Sequence, residues 1–207
     1  MKKEIYIVRH GQTDLNRDGI VQGRGVDSSI NETGIKQAEK FFRQYQHISF
    51  DKIYTSSLKR TWQTVHKFIE SGVSWEKLVG LDEMDWGVYE GKPSTEITKA
   101  AFKKLLESWS YGNYNTSLGG GESPSEVMAR QSLTLEYILS NPKEETILIC
   151  MHGRAIRILL CLITGTELRY MDSFPHQNLS LYKISWENNE FKVLDFNNLA
   201  HIEAEIS

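Results

Sequence analysis

Two short segments of the chain end in the same way. Ile5-Tyr6-Ile7-Val8 runs into Arg9-His10-Gly11, and Ile147-Leu148-Ile149-Cys150 runs into Met151-His152-Gly153. Histidine offers a nitrogen that can attack or move a proton near neutral pH. Arginine offers a rigid fork of donors matched to an oxyanion and keeps its charge. Two histidines with an arginine beside one of them therefore suit chemistry on a phosphate. A lone histidine after a strand usually makes an ordinary hydrogen bond; it is the repeated strand-then-His-Gly pattern that points to a site. The glycines would let backbone N–H groups approach a ligand closely. A departing alkoxide would also need a proton, and the stretch Leu81-Asp82-Glu83-Met84-Asp85-Trp86 holds candidate acids. From spacing alone Asp82, Glu83, Asp85 or Glu90 could serve, and Arg60, inside a helical pattern, reads as a solvated cation.

The elements that must carry these residues are legible. Residues 5–8 and 146–150 are continuous β-formers without alternation, the pattern of strands buried on both faces of a parallel sheet. Residues 51–54 and 78–81 are expected as two further strands. Ile35, Ala38, Phe42 and Tyr45 recur at helical spacing, as do Leu58, Trp62, Val65 and Ile69, and Ile97, Ala101, Leu105 and Trp109. Ser123 can cap the next helix, with Pro124 in its first turn and Glu126 completing a capping box. A helix over 154–164 should end at Gly165. Residues 179–186 and 190–196 flank Asn188-Asn189, which predicts a terminal antiparallel hairpin. The result is an α/β domain over 1–207, a mainly parallel sheet flanked by helices with that hairpin at its edge. Both histidines would meet beyond the carboxyl ends of the strands, where ligands bind in such sheets. Residues 92–122, a helix followed by a Gly-, Asn- and Tyr-rich loop, are expected to form a small lid over that end.

Composition narrows the partners. The chain has 207 residues, 40% of them hydrophobic and only four proline, enough for a sizeable core. A net charge of −3 argues against nucleic acid or an anionic membrane as the main partner, but not against a small anion in a local basic pocket. Cys150 and Cys161 sit in apolar stretches and read as buried thiols, without a disulfide or zinc framework. The N-terminus is too short and too soon charged for a signal peptide, and the longest apolar stretch, 156–163, is broken by Arg157. A cytoplasmic location is expected.

Arg9-His10-Gly11 with Asn16, then GIKQAEKF, IYTSSLKRTWQT, LDEMDWGVYEG, GGES and ILICMHGRAIRILL, follow one another over nearly the whole chain. In these motifs the sequence resembles the histidine phosphatase (phosphoglycerate mutase-like) superfamily, in its phosphatase branch. The resemblance implies the three-layer phosphoglycerate mutase-like fold and a metal- and cofactor-free hydrolase acting on a small-molecule phosphate ester. His10 would attack phosphorus and carry the phosphoryl group. Arg9, Arg60 and His152 would hold the non-bridging oxygens, with Asn16 and Gln22 completing the pocket and Gly23, Gly153 and Asn178 bordering the substrate. Glu83 would protonate the leaving group and then activate water. His176 is expected in a loop role, and His47, His66 and His201 in structural ones. Trp86, Tyr89, Trp109, Tyr111 and Tyr114 read as core or rim, several placed where the lid would roof the site.

The chain departs from the family pattern at Ser56-Ser57-Leu58, where many relatives have Ser-Pro-Leu, at Thr61, and at Arg154, where a second glycine is common. Three other readings stand beside the phosphatase. A phosphoglycerate mutase would need cations in its lid, yet residues 92–122 hold Lys92, Lys99, Lys103 and Lys104 and no arginine. A metal-dependent hydrolase using His10, His152 and Glu83 or Asp82 lacks the usual ligand spacing and would crowd its ion with arginines. A catalytically silent binding protein would have no reason to keep Arg9, His10, Arg60, Glu83 and His152 together.

Overall fold

The two apolar runs lie side by side at the centre of one six-stranded sheet. In the computed structural model, which describes residues 2–203, β1 (Lys2–Arg9) and β4 (Thr146–Met151) pair in parallel, with Ile5 opposite Ile147 and Arg9 opposite Met151. β2 (Lys52–Thr55) adds in parallel to β4, and β3 (Trp75–Lys77) in parallel to β2. On the other side β5 (Leu181–Glu187) pairs antiparallel with β1, and β6 (Glu190–Asn198) antiparallel with β5, giving the order β3-β2-β4-β1-β5-β6. The expected edge hairpin is therefore present. Its turn residues Asn188 and Asn189 have φ of 53° and 63°, the left-handed pair that a two-residue turn between twisted strands requires.

Alternate residues of β1 and β4 enter opposite layers, which is why neither strand alternates in polarity. Tyr6, Val8, Leu148 and Cys150 pack with Phe41, Val65 and Phe68 of α2 (Glu32–Tyr45) and α3 (Lys59–Glu70). Ile5, Ile7, Ile147 and Ile149 pack with Val127, Ile138, Ile156 and Leu159 of α5 (Pro124–Ser140) and α6 (Gly153–Thr164). A short α1 (Asp14–Arg17), α4 (Glu96–Ser110) and α7 (Ala200–Glu203) complete the helices of the described residues. Ser123 caps α5 through the predicted box with Glu126, and α6 ends on Gly165 at φ 66°. Cys150 and Cys161 are free and buried. Among the described residues no helix is long and apolar enough to cross a membrane.

Several expectations are corrected. The strand expected over 78–81 is displaced to Trp75–Lys77, and Val79–Leu81 forms a turn of 3₁₀ helix. Of the stripe expected in α4, Leu105 and Trp109 are buried, with Phe102 packed beside them, but Ile97 is 82% exposed. In α2, Gly34, Ala38 and Phe41 face the core while Ile35 is exposed. In α3 the core face is partly polar: Arg60, Thr61 and Thr64 are buried, whereas Trp62 and Ile69 are half-exposed. Those polar groups are tolerated because each has a partner. Thr61 Oγ1 donates to Leu58 O at 2.8 Å and Thr64 Oγ1 to Arg60 O at 2.6 Å.

Candidate active site

A cavity of about 300 Å³ opens beyond the carboxyl ends of β1 and β4. His10, Arg9 and Asn16 come to it from the end of β1 and the turn that follows, and Gly153 and Arg154 from the start of α6. His10 is almost wholly buried. Its Nδ1–H donates to the Gly11 carbonyl at 2.8 Å, so the neutral ring keeps its free lone pair on Nε2. Burial, reinforced by the charges of Arg60 and Arg9, holds its pKa well below the ordinary histidine value. An unprotonated imidazole beside two guanidinium groups is a nucleophile set for an anion. Arg9 itself is desolvated enough to lower its pKa to about 10; its Nη1 donates to His176 O at 3.2 Å, and its buried Nε has no partner.

Behind this surface lies a second layer. Arg60 is fully buried and donates from Nη1 to Val26 O, from Nη2 to Gly23 O and from Nε to His152 Nδ1, at 2.7, 3.1 and 3.2 Å. His152 must therefore carry its proton on Nε2, which donates to Ser56 Oγ at 2.7 Å. Its ring lies 5.2 Å from that of His10, and burial with the charge of Arg60 keeps it neutral too. Arg60 and His152 stand just behind the residues that line the cavity, next to His10. Gly23 is likewise set behind Arg60, where a side chain would collide with Glu90. Asn178 also stands behind the wall, donating to His10 O at 2.9 Å and Asn16 Oδ1 at 3.3 Å. Asn16 and Gln22 do face the cavity, tied together through Thr13: Thr13 N–H donates to Asn16 Oδ1, and Gln22 Nε2 donates to Thr13 Oγ1.

The glycines after the histidines serve packing. A Cβ on Gly11 would meet the Gly34 carbonyl at 2.8 Å, and one on Gly153 would strike the His176 ring at 2.5 Å. His176 consequently borders the cavity, its pKa pushed down to about 3 by burial and by Arg9, Arg157 and Arg154.

The four carboxylates differ in position. Asp82 is bound by Ser57 and Arg24, Asp85 accepts from Gly87 N–H, and Glu90 accepts from Trp86 N–H. Of the four candidates only Glu83 lines the cavity. Its Oε1 accepts from Met84 and Ala155 N–H, each at 2.9 Å, and its Oε2 from Arg154 N–H at 3.1 Å. The side chain thus docks on the N-terminus of α6, whose free N–H groups favour a carboxylate. Arg130 of α5 fixes the loop underneath, donating to the carbonyls of Gly80, Asp82 and Glu83 at 2.9, 2.9 and 3.1 Å and pairing with Glu122. Arg130, Ser56 and Arg24 carry no signal in their local sequence; only the fold reveals them.

The remaining wall is apolar: Ile20, Val21, Trp86, Phe102 and Leu106. The segment 92–122 therefore walls the cavity with two side chains of α4 and with none of its tyrosines. Tyr111 is 82% exposed, and the Tyr114 hydroxyl accepts from Arg169 N–H.

The family model for the "Histidine phosphatase superfamily (branch 1)" matches residues 5–199. "Putative phosphoserine phosphatase 2" of Hydrogenobacter thermophilus is 30% identical over 201 residues, covering 96% of this chain and 97% of its own. "Probable phosphoglycerate mutase GpmB" of Yersinia pestis is 28% identical over 189 residues, 90% of this chain and 86% of its own. The solved structure of Bacillus stearothermophilus YhfR superposes with a TM-score of 0.86 at 25% identity, covering 97% of this chain and all of that one.

Proposed function

The chain belongs to the histidine phosphatase superfamily, and we propose that it hydrolyses the phosphate monoester of a small metabolite through a phosphohistidine on His10, without a metal ion. The observation that carries this reading is the state of His10: neutral, with Nδ1–H fixed on Gly11 O, so that Nε2 is the attacking atom. The similarity to a protein named a putative phosphoserine phosphatase supports the hydrolytic part of the reading.

In the first step Nε2 of His10 bonds to phosphorus while the P–O bond to the leaving alcohol breaks. Charge spreads over the non-bridging oxygens, so positioned cations supply most of the catalysis. The Arg9 guanidinium meets these oxygens from the cavity wall, and Asn16 and Gln22 offer amide donors beside it. Arg60 adds positive potential from one layer down. Glu83 gives its proton to the departing oxygen. In the second step the Glu83 carboxylate takes a proton from water, whose oxygen attacks phosphorus, and His10 leaves as neutral imidazole. Independence from metal is supported by the donor set. Both ring nitrogens of His152 are engaged, and among the described residues no three His, Cys, Asp or Glu side chains converge.

Alkaline quenching during turnover of p-nitrophenyl phosphate should trap acid-labile phosphate on His10, and turnover should survive exhaustive chelation. His10→Ala should lose about three or more powers of ten in turnover, the scale for removing a nucleophile that works as part of a unit. Near-normal turnover in that variant, or activity restored only by adding back an ion, would overturn the reading.

A further inference from the structure

Arg154 stands where the family pattern usually places a glycine, and its side chain has a built environment. The guanidinium lies over the Trp109 ring, 5.6 Å from its centroid, and Nη1 donates to Asp172 Oδ1 at 2.7 Å. The same Asp172 oxygen accepts from Arg157 Nη1 at 2.5 Å. Two guanidinium groups thus share one carboxylate oxygen of Asp172. Arg154 is mostly buried, and it lines the cavity. Asp172 receives only Nη1, so Nε and Nη2 make no hydrogen bond among the described residues.

The location of this charge identifies which part of a substrate it meets. The backbone N–H of Arg154 holds Glu83, the proton donor to the leaving oxygen. The side chain of the same residue lines the cavity as well, so it borders space open to the leaving alcohol. Resting on the phosphatase reading, we propose that Arg154 forms a subsite for a second anionic group, a carboxylate carried by the leaving alcohol. A planar, cationic fork with free donors matches a carboxylate monoanion.

The test compares phosphate release from 3-phosphoglycerate and from glycerol 3-phosphate, which share the ester end and differ in carboxylate against hydroxymethyl. Wild type should favour the carboxylate by about ten- to a hundredfold in kcat/KM, the range for a charge-assisted pair. Arg154→Gln should bring that ratio close to one, and Arg154→Lys should keep part of it. Asp172→Asn, at a half-exposed position, should raise the ratio by removing the competing carboxylate. A wild-type ratio near one, a ratio unchanged in Arg154→Gln, or one that does not rise in Asp172→Asn would overturn the subsite. Wild type that also released nothing from p-nitrophenyl phosphate would sink the phosphatase reading itself, and the subsite with it.

Discussion

Replacing Glu83 by glutamine separates the two steps of the proposed reaction. The amide keeps one acceptor oxygen, so the bonds from Met84 and Ala155 N–H can persist. An NH₂ group then takes the place of Oε2 and faces Arg154 N–H, donor against donor. The buried conflict should cost about 1–3 kcal/mol of stability and leave the protein folded. Loss of a general acid costs about 10²–10⁴ in rate, or about 3–5 kcal/mol on the barrier, when the leaving group is an alkoxide. p-Nitrophenolate leaves without a proton, so phosphorylation by the activated ester should be nearly spared. Release of the phosphoryl group still needs the base. Stopped-flow traces should therefore show a burst of about one p-nitrophenol per site, followed by a slow steady state with phosphohistidine accumulated. Turnover of glycerol 3-phosphate should lack the burst and fall by the full factor. Equal losses on both esters, with no burst, would refute the assignment and direct attention to Asp82 or Asp85.

Arg130→Met should remove the clamp on the Glu83 loop and leave Glu122 without its closest partner, destabilising the fold by about 3–5 kcal/mol. Because Arg130 acts through Glu83, kcat on glycerol 3-phosphate should fall more than kcat on p-nitrophenyl phosphate; equal falls would reduce it to a purely structural role. Stability should be full above about pH 6.5 and decline towards pH 4, because His10, His152, His176 and His201 are held neutral in the fold and bind protons once unfolded. Each such histidine contributes up to ~1.4 kcal/mol per pH unit in that window. His201, with a folded pKa of about 4, an unpartnered Nδ1 and packing against Phe41 and Tyr45, is the cleanest case. Urea titrations of His201→Gln should show the slope reduced by about one proton, and an unchanged slope would contradict this. With 3-phosphoglycerate and a bisphosphoglycerate primer, phosphate release should outrun formation of 2-phosphoglycerate, since Lys99 and Lys103 pair with Glu96 and Glu107 on the exposed face of α4. Rapid isomerisation without phosphate release would mean that the lid has been misread.

Local chemistry alone determined the frame of this protein. Unbroken β-formers in residues 5–8 and 147–150 can be satisfied only between two helical layers, and a parallel pair brings Arg9-His10 and His152 to one edge. Ser123 with Glu126, Gly165, and Asn188-Asn189 set their boundaries through hydrogen bonds and dihedrals that involve only near neighbours in the chain. The site's second layer was decided by tertiary structure. Asp82, Glu83, Asp85 and Glu90 are chemically alike and lie in an irregular loop, so no periodicity says which one faces the cavity. That choice comes from N–H groups at the start of α6 and from Arg130 of α5, 71 and 47 residues away. For the same reason Arg60 looked like a surface cation, until the Gly23 and Val26 carbonyls and His152 gave its donors buried partners. α4 shows the opposite failure: Ile97 fits the helical period, yet it stays in water. Periodicity reports which residues could be buried together; whether a partner surface exists, and whether a buried charge finds its hydrogen bonds, is settled by segments distant in the chain.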